Sequence, residues 1–161
     1  MRPNRKRMIY VIVVIVAVIL LSPVFFLAIM SLLAKTPENL GVVNGRLAAC
    51  PSSPNCVSTQ ATDAEHHIEP IPFDETPDQA IERLKKVIAA VPRLKIVTET
   101  GDYLHVEATS MIIRFVDDVE FLVDREAKVI HFRSASRVGH SDLGANRARM
   151  ERIREAFQQQ G

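Results

Sequence analysis

Residues 115–137, FVDDVEFLVDREAKVIHFRSASR, carry two alternating runs separated by a short polar stretch, and their pairing decides the fold. With Glu126-Ala127 at the turn, Phe121 stands opposite Phe132 and Val123 opposite Ile130 on one face, which a half-buried antiparallel ribbon requires. The other face then pairs Glu120 with Arg133. Alternation adds Asp118, His131 and Arg137 to that polar face and sends the apolar partners to a core. Upstream, LKIVTET and DYLHVEATS flank Gly101 and read as a hairpin, and MIIRFV continues the strand pattern. His66 to Ile71 is expected to be a first strand.

Two helices frame this β region. Thr76-Pro77-Asp78-Gln79 is a helix start, with Thr as cap, Pro at the first helical position and Gln completing a capping box. Ala80, Ile81, Leu84, Val87, Ile88 and Val91 follow on one face, and Pro92 ends the helix. Ser141 or Asp142 is expected to cap a last helix running to about Gln158, with Leu143, Met150, Ile153 and Phe157 as its buried stripe. The expected domain is α+β, in the order β-α-β-β-β-β-α, with an antiparallel sheet and the helices on one face.

Between Met8 and Ala34 no residue is charged and large aliphatic side chains dominate. Such a run is long enough to cross a hydrocarbon core of about 30 Å as a helix, with a kink expected at Pro23. Arg2, Arg5, Lys6 and Arg7 precede it, so the positive-inside rule puts the N-terminus in the cytoplasm. A cleaved signal peptide has a shorter apolar core, and the lipoprotein-like Leu47-Ala48-Ala49-Cys50 lies too far from the run. The sequence thus predicts a cytoplasmic basic tail over 1–7, a transmembrane helix over 8–34, a linker and Cys loop over 35–60 and an extracytoplasmic α+β domain over 61–161. The lipid bilayer becomes a partner and the cell inner membrane the location, with the domain periplasmic.

Charge narrows the possible functions. Removing the four leading cations from 20 Lys and Arg leaves 16 against 19 acidic residues, a net of −3 from Lys35 onward. Nucleic-acid binding needs a basic surface and is therefore not expected. Cys50 and Cys56, the only cysteines, sit in the Pro- and Ser-rich LAACPSSPNCVST. Export would make a disulfide the default, and the thioredoxin-like C-x-x-C spacing is absent. No zinc, calcium or nucleotide-binding pattern is present, so neither a metal nor a cofactor is expected.

The densest polar stretch is RSASRVGHSDLGANRARMERIR. Arginines beside a helix N-terminus suit an anion, through the helix dipole and bidentate hydrogen bonding. Arg133, Arg137, His140, Ser141, Asp142, Asn146 and Arg147 are the candidate ligand-binding residues. The competing account pairs these arginines internally with Asp117, Asp118 and Glu120. His140-Ser141-Asp142 holds the residue types of a hydrolytic triad, but adjacent residues cannot easily align as nucleophile, base and orienter. His105 or His131 acting on Ser134 is the remote alternative, and no catalytic residue is assigned.

CPSSPNCVST, FVDDVEFLVD and RSASRVGHSDLGANRARMERIR, in that order, resemble the domain of unknown function 1499 family over about Gly45 to Phe157. The resemblance implies one compact domain and a bacterial envelope setting; the family also occurs in some photosynthetic eukaryotes. It implies no activity, and an aromatic often stands in its pattern where this chain has His140. The expected function is a noncatalytic binding or assembly module for an anionic ligand or protein partner, with an envelope hydrolase and a purely structural envelope protein as alternatives.

Overall fold

The computed structural model describes residues 5–112 and 114–160, without the side chains of residues 23, 24, 27 and 32. Arg2 of the basic tail and Ile113 of the expected MIIRFV strand lie outside the described residues, as does the side chain of Pro23.

The apolar N-terminal run forms helix α1 (Arg5–Leu33). Among the described residues, however, no helix is long and apolar enough to cross a membrane. This corrects the expected transmembrane helix over 8–34. The bilayer partner, the inner-membrane location and the periplasmic side assigned to the domain rested on that helix and are corrected with it.

The remainder combines helices with antiparallel sheet. A two-stranded hairpin, β1 (Val42–Val43) and β2 (Arg46–Leu47), occupies the segment expected to be a linker. Its turn is Asn44-Gly45, with φ of 52° and 72°. Both central residues of a two-residue hairpin turn of this kind need positive φ, which Asn and Gly tolerate best.

The main sheet contains β3 (Cys56–Ser58), β4 (Ile71–Pro72), β5 (Leu94–Thr100), β6 (Tyr103–Thr109), β7 (Val116–Asp124) and β8 (Val129–Ser136). Its order is β3-β8-β7-β6-β5, and β4 pairs with another stretch of β8. β7 and β8 pair in the expected register: Phe121 faces Phe132, Val123 faces Ile130 and Glu120 faces Arg133.

Two expected strands are shorter than their hydrophobic patterns. Between His66 and Ile71 the chain contributes a single parallel bridge, His67 to Ser58, and the start of β4, because Pro70 and Pro72 have no N–H for a longer ladder. Met111 and Ile112 form an exposed bend, and β7 begins only at Val116. Arg114 has φ of 60°, and Ser110 closes the loop by donating its N–H to Phe115 O and accepting from Phe115 N through its hydroxyl.

Helix α2 (Pro77–Ala90) has the expected capping box between Thr76 and Gln79. Helix α3 (Ala145–Gln158) buries Met150, Ile153 and Phe157 as expected. Leu143 does not join that stripe. It precedes the helix with φ of 54°, and is 96% exposed. The buried faces of α2 and α3 form one core with Leu104, Val106, Val119, Phe121, Val123, Ile130 and Phe132 of the sheet.

Phe121 and Phe132 are fully buried, with ring centroids 6.4 Å apart. Phe121→Ala should therefore cost about 3–5 kcal/mol, read as a lower urea midpoint at unchanged slope. A loss below about 1 kcal/mol would mean that the two rings are not central to the core.

Candidate functional site

Strand parity sorts the ionisable residues onto two faces of the sheet. On the face away from the helices, Glu120 is 0% and Asp118 1% exposed. Glu120 Oε2 accepts from Arg133 Nη1 at 3.1 Å, while Oε1 accepts from the Tyr103 hydroxyl at 2.9 Å and from Gly41 N at 2.7 Å. Gly41 has φ of 110°, a conformation suited to glycine. Through this bond the chain before the β1–β2 hairpin is held to the sheet. Burial and the adjacent Glu120 carboxylate push the Tyr103 phenol well above its ordinary value.

Asp118 accepts from Arg137 Nε and Nη2 at 2.8 and 2.7 Å and from His105 Nε2 at 2.8 Å, and Arg137 also reaches Glu107 at 2.6 Å. Burial opposes ionisation of Asp118, but hydrogen bonds from Arg137 and His105 outweigh it and hold the carboxyl below its ordinary value. Arg133 and Arg137 are thus paired with carboxylates. Arg133 Nε is buried without a hydrogen-bond partner among the described residues.

The opposite face carries a second polar group at one end of the core. Asp117 points there, as its odd number in β7 requires, and Asp117 Oδ2 accepts from Arg149 Nη2 at 2.5 Å. Arg149 Nη1 donates to Asn146 Oδ1 at 2.6 Å and to the Ser134 hydroxyl at 3.1 Å. Asn146, fully buried, also accepts from Ser134 and donates to Ser136 Oγ and Asn55 O. Its amide is thereby satisfied on every side. Asn55 belongs to the loop closed by the Cys50–Cys56 disulfide, and its Nδ2 fixes Gly139 O at 2.6 Å.

Above this group opens a cavity of about 490 Å³. Phe26 and Met30 of α1, with Phe115 and Val138, form its apolar wall; Ser110, Asp117, Ser136, Gly139, Ser141, Asp142 and the α3 residues Ala145 and Arg149 line the rest. The last turn of α1 is tied to its rim where Ser31 Oγ donates to Arg114 O at 2.9 Å.

The structure divides the expected ligand-binding set. Ser141 and Asp142 line the cavity and Asn146 lies beneath it, whereas Arg133 and Arg137 face the other side of the sheet. Arg147 donates to His67 O and Glu65 O, and His140 is exposed. The head of α3 is already occupied: Asp142 accepts from Gly144 N and Asn146 N, and the residue at the N-cap is Gly144. Ser141 Oγ accepts from Leu143 N.

The remote alternative is not assembled. Ser134 bonds Asn146 and Arg149, His105 bonds Asp118, and His131 Nδ1 meets Thr59 Oγ1 at 3.0 Å. That threonine hydroxyl is itself held in the β8 backbone, accepting from Phe132 N. Arg149, Ser136 and the α1 residues of the cavity had not been anticipated. Parity did hold the clue for Asp117: it shares the face of Val119 and Phe121, where a carboxylate needs a cation from a helix.

A family model described as a protein of unknown function, DUF1499, matches residues 46–157, and the chain belongs to that family. No curated protein and no solved structure matches the chain.

The depressed Asp118 value carries a pH signature. A carboxyl lowered on folding adds stability above its unfolded value of about 3.9, and that stability is lost as pH falls through the folded value. Asp118→Asn should cost about 3–5 kcal/mol at pH 7, because it leaves Arg137 underpaired, and should flatten the acid limb of stability against pH. A variant as acid-sensitive as the parent protein would show that Asp118 is not the source.

Proposed function

We propose that this chain is a noncatalytic binding module that holds a small molecule in the cavity between the end of α1 and the head of α3. The observation that carries this reading is the cavity itself: about 490 Å³, with a predominantly apolar wall and a few polar groups among its lining residues. Binding sites for small organic molecules have this size and composition.

The site is placed here rather than on Arg133 and Arg137, since an anion there would have to displace the buried carboxylates of Glu120 and Asp118. A hydrolase has less support. None of the described lining residues is a histidine, and both cysteines are joined to each other.

Titration with N-phenyl-1-naphthylamine, an uncharged dye that brightens in apolar surroundings, tests the assignment. Saturable binding at one site is expected, weakened at least tenfold by Ala145→Phe, which fills the cavity. Leu20→Ser, on the exposed surface of α1, should leave that site unchanged and serves as the control. If Ala145→Phe stays folded and binds the dye as the parent does, the cavity is not the site.

A further inference from the structure

Resting on that reading of the cavity, we infer that its ligand is a single-chain amphiphile with a cationic amine head, seated with the ammonium on Asp117 and the chain along Phe26 and Met30. Asp117 is 7% exposed, yet only one of its carboxylate oxygens is used. Oδ2 accepts from Arg149, whereas Oδ1 takes no hydrogen bond from the protein among the described residues. Asp117 itself lines the cavity. A carboxylate oxygen held this far from bulk water favours a hydrogen-bond donor.

Charge selects the kind of donor. The cavity is lined by two carboxylates, Asp117 and Asp142, against one guanidinium, Arg149. Arg149 is already bound to Asp117, Asn146 and Ser134. Among the described lining residues an anionic head would meet a surplus of negative charge and no unpaired cation, whereas an ammonium would complete the unused side of Asp117. Phe26, Met30, Phe115 and Val138 supply a large apolar wall, suited to an alkyl chain.

The experiment is displacement of bound N-phenyl-1-naphthylamine by dodecylamine, dodecanol and laurate. All three are kept below their aggregation concentrations near pH 7 and compared on the parent protein, Ala145→Phe and Asp117→Asn. On the parent, dodecylamine should displace the dye at a concentration at least tenfold below laurate, with dodecanol between them. Asp117→Asn should reduce that preference to less than threefold.

Laurate equal to or better than dodecylamine on the parent overturns the inference, and that comparison needs no variant to fold. An undiminished amine preference in a folded Asp117→Asn overturns it as well. Dye binding that ignores Ala145→Phe removes the cavity reading itself. A dye that obeys Ala145→Phe while laurate wins removes only the amine head.

Discussion

The pairing of β7 with β8 determines which of two neighbouring carboxylates meets which arginine. A shift of one residue would carry Glu120 and Asp118 into the hydrophobic core and turn Phe121 and Val123 outward. In the observed register Glu120 meets Arg133 across the strands, and Asp118 lies within reach of Arg137 and His105. Asp117, one step away, goes to the helix side and needs Arg149 from α3. The two polar assemblies thus follow from a single alignment. Their charges are too deeply buried for the alternative alignment to be tolerated.

The other elements act on this sheet. Gly41, at the entrance to the small hairpin, gives its N–H to Glu120, so the polar face is capped by chain rather than left to water. The Cys50–Cys56 bridge closes a loop that delivers β3 to the edge of β8 and Asn55 to Asn146. One short staple therefore serves both the sheet and the floor of the cavity. At the cavity mouth, Ser31 joins the end of α1 to Arg114, and Phe26 and Met30 complete a wall that the β-rich part lacks by itself.

Much of this was legible where local chemistry and periodicity agree. The Thr76–Gln79 capping box, the α2 stripe, the hairpin around Gly101 and the β7–β8 register each rest on neighbours in sequence or on strict alternation. Elsewhere the pattern misled. MIIRFV has a strand's composition but sits at a bend, and Leu143 fits a helical spacing outside the helix. The apolar run over 8–34 did form a helix, but among the described residues no helix is long and apolar enough to cross a membrane. Val42 to Leu47 was read as linker although Asn44-Gly45 is a hairpin signal, because two-residue strands leave almost no alternation to detect. The cavity was invisible for a different reason: its walls come from α1, β7, β8 and α3, and only tertiary packing brings them together.

A double-mutant cycle on Glu120 and Arg133 tests the register and its buried pair most directly. Each single change, Glu120→Gln and Arg133→Met, strands a buried partner, while the double change removes both charges together. The account predicts that the double variant loses at least about 1 kcal/mol less stability in urea than the two single losses combined. Strict additivity would contradict it, since residues that do not touch add, and the alignment of β7 on β8 would then have to be redrawn.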